Sequence, residues 1–256
     1  MKILYNITFT HINMYNIKNS KELASLINYT NLNNIITESE MKEFLEQAKE
    51  LNFHSVVVSP TYVELAKEML EDTDIKVGSV VGFPLGFESS EGKLAEAKEL
   101  LEKGADEIEV VINLSHLKDE KYPLIENEIR QIKEAAGDKI VKAVMESKAL
   151  EDYEKANAAK AAEIAGADFI KTSTGFVTPN HIFEHVNDIN IIQKHAPKIK
   201  IEVNGGIDQY KLANQILTGG ADLIGSNNGY GIVKRYKELR ENTQVKPKPI
   251  TLTKKD

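Results

Sequence analysis

At 256 residues, with 41% hydrophobic and 28% charged side chains, the chain is long enough to bury a substantial core and is ordinary for a soluble globular protein. A net charge of −7, with no basic stretch interleaved with aromatics, argues against nucleic acid as a partner; backbone amides can still hold a phosphorylated ligand against that charge. There is no cysteine, which excludes disulfides, thiolate nucleophiles and thiolate-ligated metals together.

Residues 1–22 carry scattered apolar positions without a continuous run of signal-peptide length, and read as an N-terminal extension or a short helix. No segment approaches the roughly 18 apolar residues of a membrane span, so a cytoplasmic protein without membrane contact is expected. Strand patterns then follow at "ASLINYT" (24–30), "HSVVVSP" (54–60), "KVGSVVGFP" (76–84), "GADEIEVV" (104–111), "KIVKAVME" (139–146), "GADFIKTS" (166–173), "KIKIEVN" (198–204) and "GADLIGSN" (220–227). A helical pattern follows each of them. Three of the eight open on the same Gly-Ala-Asp triplet, and each of those follows an amphipathic stretch. The glycine suits a left-handed residue ending a helix, and the apolar run after it suits a buried strand. Eight alternating units imply parallel strands with right-handed crossovers. The expected fold is therefore α/β, a single (β/α)8 TIM barrel over residues 23–243, followed by a loosely held tail at 244–256.

In such a barrel the reactive groups sit at the C-terminal strand ends, and alternate strands contribute to one interior layer. The sixth residue of each Gly-Ala-Asp octad is Glu109, Lys171 and Gly225, on strands 4, 6 and 8. An amine and a carboxylate would then face one cavity, with Gly225 leaving space beside them. Periodicity alone leaves two readings open: a structural ion pair, or a desolvated lysine that attacks a carbonyl while the carboxylate moves protons.

The segment "GADFIKTSTGF" resembles the active-site stretch of the deoxyribose-phosphate aldolase family, class I aldolases on a (β/α)8 barrel. "VVGFPLG" (80–86), "KGADEIEVVIN" (103–113), "VKAVME" (141–146) and "NGGI" (204–207) match in order, so the resemblance spans about residues 23–235. It implies that Lys171 is the Schiff-base lysine and that Glu109 handles protons. It also implies reversible cleavage of 2-deoxyribose 5-phosphate to acetaldehyde and glyceraldehyde 3-phosphate, with no metal and no cofactor. Thr172, Gly175, Gly205, Gly206, Gly225, Ser226 and Asn227 would line the substrate and its phosphate, and a homodimer is expected. Lys142 matches a family lysine and would supply a cation, or else merely pair with Glu146 or Glu202; by alternation Lys142, Val144 and Glu146 share a face.

The departures fall at the same site. Glu109 stands where the family has aspartate, Glu202 where it has a second lysine, and Asn28 and Tyr29 where it has aspartate and histidine. Asn227 and Asn228 replace usual serines. Glu202 would favour the ammonium form of Lys171, a poorer nucleophile. That leaves two alternatives: a Schiff-base aldolase with a changed substrate, or a catalytically silent barrel that binds a sugar phosphate. His181 and His185, spaced i, i+4, have metal-ligand spacing but read as a solvated helix face.

Overall fold

The computed structural model describes residues 17–177 and 181–241. Most of the N-terminal extension and the whole 244–256 tail lie outside the described residues. Among the described residues, eight strands run in parallel: β1 Ile27–Asn31, β2 Ser55–Val58, β3 Lys76–Val81, β4 Glu107–Val111, β5 Ile140–Val144, β6 Phe169–Lys171, β7 Lys200–Val203 and β8 Leu223–Ser226. Each pairs with the next, and β8 pairs with β1 to close the barrel. The helices are α1 Ser20–Ala24, α2 Glu38–Leu51, α3 Val63–Met69, α4 Ser90–Glu102, α5 Leu114–Lys118, α6 Tyr122–Ala136, α7 Asp152–Ala165, α8 Ile182–His195, α9 Tyr210–Thr218 and α10 Gly229–Tyr236. α1 precedes the first strand, and α5 is an extra turn in the β4–β5 crossover. No helix among the described residues is long and apolar enough to cross a membrane.

The three Gly-Ala-Asp triplets do the same mechanical work. Gly104, Gly166 and Gly220 take φ of +95°, +86° and +109°, a region open to glycine that reverses the chain at the end of α4, α7 and α9. The alanines are buried. Each aspartate then clasps the start of the preceding strand: Asp106 accepts from the Val77 N–H (3.1 Å), Asp168 from Val141 (2.8 Å) and Asp222 from Ile201 (2.8 Å). These bonds fix where β4, β6 and β8 begin, and therefore how high their sixth residues stand.

Strand alternation divides the buried residues into two sets. Val56, Val58, Val77, Ile108, Val110, Val141, Ile170, Ile201, Val203 and Ile224 face outward into the hydrophobic layer beneath the helices. α2 shows how a helix meets that layer: Met41, Phe44, Leu45, Ala48 and Leu51 form one apolar stripe, started by a Thr37–Glu40 capping box. The inward set is mixed: beside Val57, Val80, Val144, Phe169 and Leu223 it holds the buried polar residues Asn28, Ser55, Glu107, Glu109, Lys142, Lys171 and Glu202.

Candidate active site

Register sets the heights of the inward charges. Glu109 lies opposite Lys142, while Lys171 lies opposite Val144 on one side and Glu202 on the other. Lys142 therefore sits one pleat below Lys171. Lys171 Nζ lies 2.6 Å from Glu109 Oε2 and 3.1 Å from Glu202 Oε1. Lys142 Nζ lies 2.7 Å from Glu107, 2.8 Å from Glu202 and 3.7 Å from Glu109. Below them His54 Nε2 approaches Glu107 at 3.4 Å. A chain of ionisable groups thus runs up the barrel axis from His54 to Lys171.

Three carboxylates and two ammoniums would leave one net negative charge in a dry interior, an expensive arrangement. The protonation equilibria relieve it. Burial pushes the Glu109 carboxyl up; Lys171 opposes this and the neighbouring Glu202 charge adds to it. Burial acts the same way on Glu202 and Glu107, but there the cations win. Lys142 and Lys171 hold Glu202 below the usual carboxylate range, and Lys142 with His54 holds Glu107 at about 2. Burial alone would lower Lys171, yet Glu109 and Glu202 overcome it and raise its pKa. Lys142 is raised likewise, by Glu107, Glu202 and Glu109. Of the three carboxyls Glu109 is thus the one that takes up a proton most readily, and its protonation would leave ionised Glu107 and Glu202 balanced by two ammoniums, with no net charge.

Two of the departures from the family pattern meet in space. Asn28 Nδ2 donates to Glu202 Oε2 at 2.5 Å, and Ser55 Oγ donates to Asn28 Oδ1 at 2.7 Å, which fixes the amide with its NH2 toward Glu202. An aspartate at 28 would set a further negative charge against Glu202, whereas an amide satisfies it. Tyr29 points away, stacked on Phe44 at 4.2 Å between ring centroids.

Other expected residues are placed differently. β5 ends at Val144 and Glu146 turns out of the strand at φ +50°, so it does not share the inward face of Lys142. Its carboxylate accepts from Ser173 Oγ (3.0 Å), the Thr174 N–H (3.2 Å) and Thr174 Oγ1, shaping the turn after β6. Lys142 accordingly pairs with Glu202 and Glu107. The Thr172 hydroxyl is engaged by the backbone just after β7, accepting from the Asn204 N–H (3.0 Å) and donating to Asn204 O (3.3 Å). Gly175 has φ +89° and open space where a Cβ would stand.

Gly205 and Gly206 form the turn after β7 with φ of +101° and +68°. Ser226 Oγ donates to Ile207 O at 2.5 Å and accepts from the Asn228 N–H at 3.0 Å. Asn228 Nδ2 donates to Asp208 O at 2.8 Å, so the turns after β7 and β8 are stitched together just before α10 begins. Asn227 is exposed beside them. Their backbone amides and the amino end of α10 form a surface suited to an anion.

The histidine pair is not a solvated helix face. His181 is exposed, but His185 is buried on the side of α8 that meets the turn after β7, where it bonds to the Gly205 backbone. The two therefore do not converge, and among the described residues no group of His, Asp and Glu is placed to hold a metal.

The model of the DeoC/LacD aldolase family matches residues 23–234. A deoxyribose-phosphate aldolase of Caldanaerobacter subterraneus subsp. tengcongensis is 40% identical over 220 residues, covering 84% of this chain and 94% of its own. One of Caldicellulosiruptor saccharolyticus is 42% identical over 217 residues, covering 83% and 97%. Among solved structures, the aldolase QR15 superposes with a TM-score of 0.81 at 32% identity, over 87% of this chain and 98% of its own. A tetrameric deoxyribose phosphate aldolase from Aeropyrum pernix superposes with a TM-score of 0.77 at 28% identity, over 86% and 93%.

Proposed function

The chain belongs to the DeoC/LacD family of aldolases, and we propose that it cleaves 2-deoxyribose 5-phosphate reversibly to acetaldehyde and glyceraldehyde 3-phosphate through an imine on Lys171. The observation that carries this reading is the Lys171 amine, 2% exposed at the end of β6 and 2.6 Å from the Glu109 carboxyl, whose pKa burial raises. The free amine adds to the C1 aldehyde while Glu109 gives its proton to the carbonyl oxygen, and loss of water leaves the iminium. Glu109, now a carboxylate, takes the proton of the C3 hydroxyl as the C2–C3 bond breaks. The bonding pair forms the enamine, and glyceraldehyde 3-phosphate departs. Protonation at C2 and addition of water then release acetaldehyde and restore the amine.

The other groups tune and hold. Glu202, supported by Lys142 and Asn28, keeps Lys171 as ammonium at neutral pH, so the nucleophile forms as pH rises. The glycine turns after β7 and β8 and the amino end of α10 hold the phosphate. The protein acts in the cytoplasm, on a phosphorylated sugar, as a homodimer; sedimentation at micromolar concentration tests that assembly. Activity is tested by incubating the protein with 2-deoxyribose 5-phosphate and following both products. The expected result is their equimolar release, increasing with pH and lost in Lys171→Ala. Binding of the sugar phosphate without products at any pH would favour the other reading that Glu202 suggests, a barrel that binds its ligand without forming an imine.

A further inference from the structure

Gly225 leaves a gap in the inner wall of the barrel, and Asn204 fills it. Asn204 follows the last residue of β7, two positions beyond Glu202, so alternation turns its side chain to the same inward side one level nearer the mouth. The paired bonds to Thr172 fix its backbone at 3.0 and 3.3 Å. Its amide lies so close over β8 that a Cβ on residue 225 would stand 2.2 Å from both Oδ1 and Nδ2. The side chain fits only because residue 225 is glycine.

Asn204 is only 6% exposed, and its Oδ1 is buried with no hydrogen-bond partner among the described residues. Buried acceptors are almost always satisfied, because leaving one unmet is costly. This one lies between two places that the aldolase reading already assigns. One level below, beside Glu202, is Lys171, where C1 of the substrate becomes an imine. Immediately after Asn204 comes the Gly205–Gly206 turn, where the phosphate sits. Two residues along a strand advance about 6.6 Å, comparable with the span of a short carbon chain carrying a phosphate. The C3 hydroxyl gives its proton at Glu109, beside Lys171. The C4 hydroxyl, next to the phosphate-bearing carbon, is left at the level of Asn204.

We propose that Asn204 is a substrate-positioning residue whose amide hydrogen-bonds the C4 hydroxyl, selecting aldehydes hydroxylated next to the phosphate-bearing carbon. A hydroxyl both donates and accepts, so either end of the amide can engage it. The proposal rests on the aldolase reading, and the test separates the two.

The probes are 2-deoxyribitol 5-phosphate and its analogue lacking the C4 hydroxyl, alcohols that cannot form an imine. Their dissociation constants are measured by calorimetry on the wild type, on Asn204→Ala, and on Asn204→Ala with Gly225→Ala, which refills the space with a methyl group. The wild type should bind the hydroxylated probe about tenfold or more tightly than the analogue, and both variants should bring the ratio to about one. Within the retro-aldol reaction, Asn204→Ala should raise KM for 2-deoxyribose 5-phosphate. A ratio unchanged by Asn204→Ala, a wild-type ratio near one, or no binding of either alcohol would overturn the assignment. Failure of the aldolase reading shows separately: the preference for the hydroxylated probe persists, but no products form from 2-deoxyribose 5-phosphate.

Discussion

Replacing Glu202 with glutamine should make Lys171 a better nucleophile at neutral pH. In the wild type, a neutral Lys171 leaves ionised Glu202 and Glu107 balanced only by Lys142, one net negative charge in a sealed interior. In Glu202→Gln, with Glu109 ionised in place of Glu202, the proton of Lys171 can pass to Glu109 without any net charge appearing. The glutamine carbonyl can still accept from Lys142 and Asn28, which now bond Oε2 at 2.8 and 2.5 Å, while its NH2 faces the amine lone pair. A unit charge at about 4 Å is worth roughly 4 kcal/mol at an effective dielectric of about 20, or about three pH units. Glu109 takes over part of that charge, so the net gain should be nearer one to two units. At pH 7 that is about a 10- to 100-fold faster initial rate of borohydride trapping with 2-deoxyribose 5-phosphate, read by intact mass. The rising limb of the pH–rate profile should move to lower pH by the same amount. A folded Glu202→Gln protein that traps more slowly than the wild type would refute the reasoning and make Glu202 an obligatory proton acceptor.

Glu107, fully buried and held at about 2 against an ordinary 4.5, contributes about 3 kcal/mol of stability. A depressed carboxyl stabilises above its unfolded pKa and loses that contribution as pH falls toward the folded one. The unfolding free-energy gap between wild type and Glu107→Gln should therefore be larger in urea titrations at pH 7 than near pH 2.5; an equal gap would count against the Lys142 and His54 pairing. Lys93 Nζ, fully buried, donates to Val111 O at 2.8 Å and to Glu128 at 2.9 Å, tying α4 to β4 and α6. Lys93→Met strands the Glu128 charge and should cost about 3–5 kcal/mol in urea unfolding, most of it recovered on adding Glu128→Leu. Gly225→Ala should destabilise the wild type by more than 1 kcal/mol but far less in an Asn204→Ala background, a coupling that a double-mutant cycle measures.

Much of this was legible in the sequence because it depends on local chemistry. The Gly-Ala-Asp triplets announce helix end, buried alanine and strand start within three residues, and the sixth residue counted from the glycine brings Glu109 and Lys171 to one cavity. What escaped depends on register between strands. That Lys142 lies one pleat below Lys171, or that Asn28 meets Glu202 over β8, follows from how β5, β1 and β7 are offset, which no single segment encodes. The space beside Gly225 was legible, but its occupant was not, since Asn204 belongs to the neighbouring strand. Glu146 broke the alternation by leaving β5 in a left-handed turn. His185 is buried by the turn after β7, which the i, i+4 pattern of its own helix does not encode.

The central claim, imine chemistry at Lys171, is tested most directly by treating the protein with 2-deoxyribose 5-phosphate and borohydride between about pH 7 and 9, a range below the ordinary lysine pKa, and mapping the adduct by peptide mass. The account requires an adduct on the peptide bearing Lys171, growing with pH and missing from Lys171→Ala. A folded protein that gains no mass across that range, or gains it on another lysine, would contradict it.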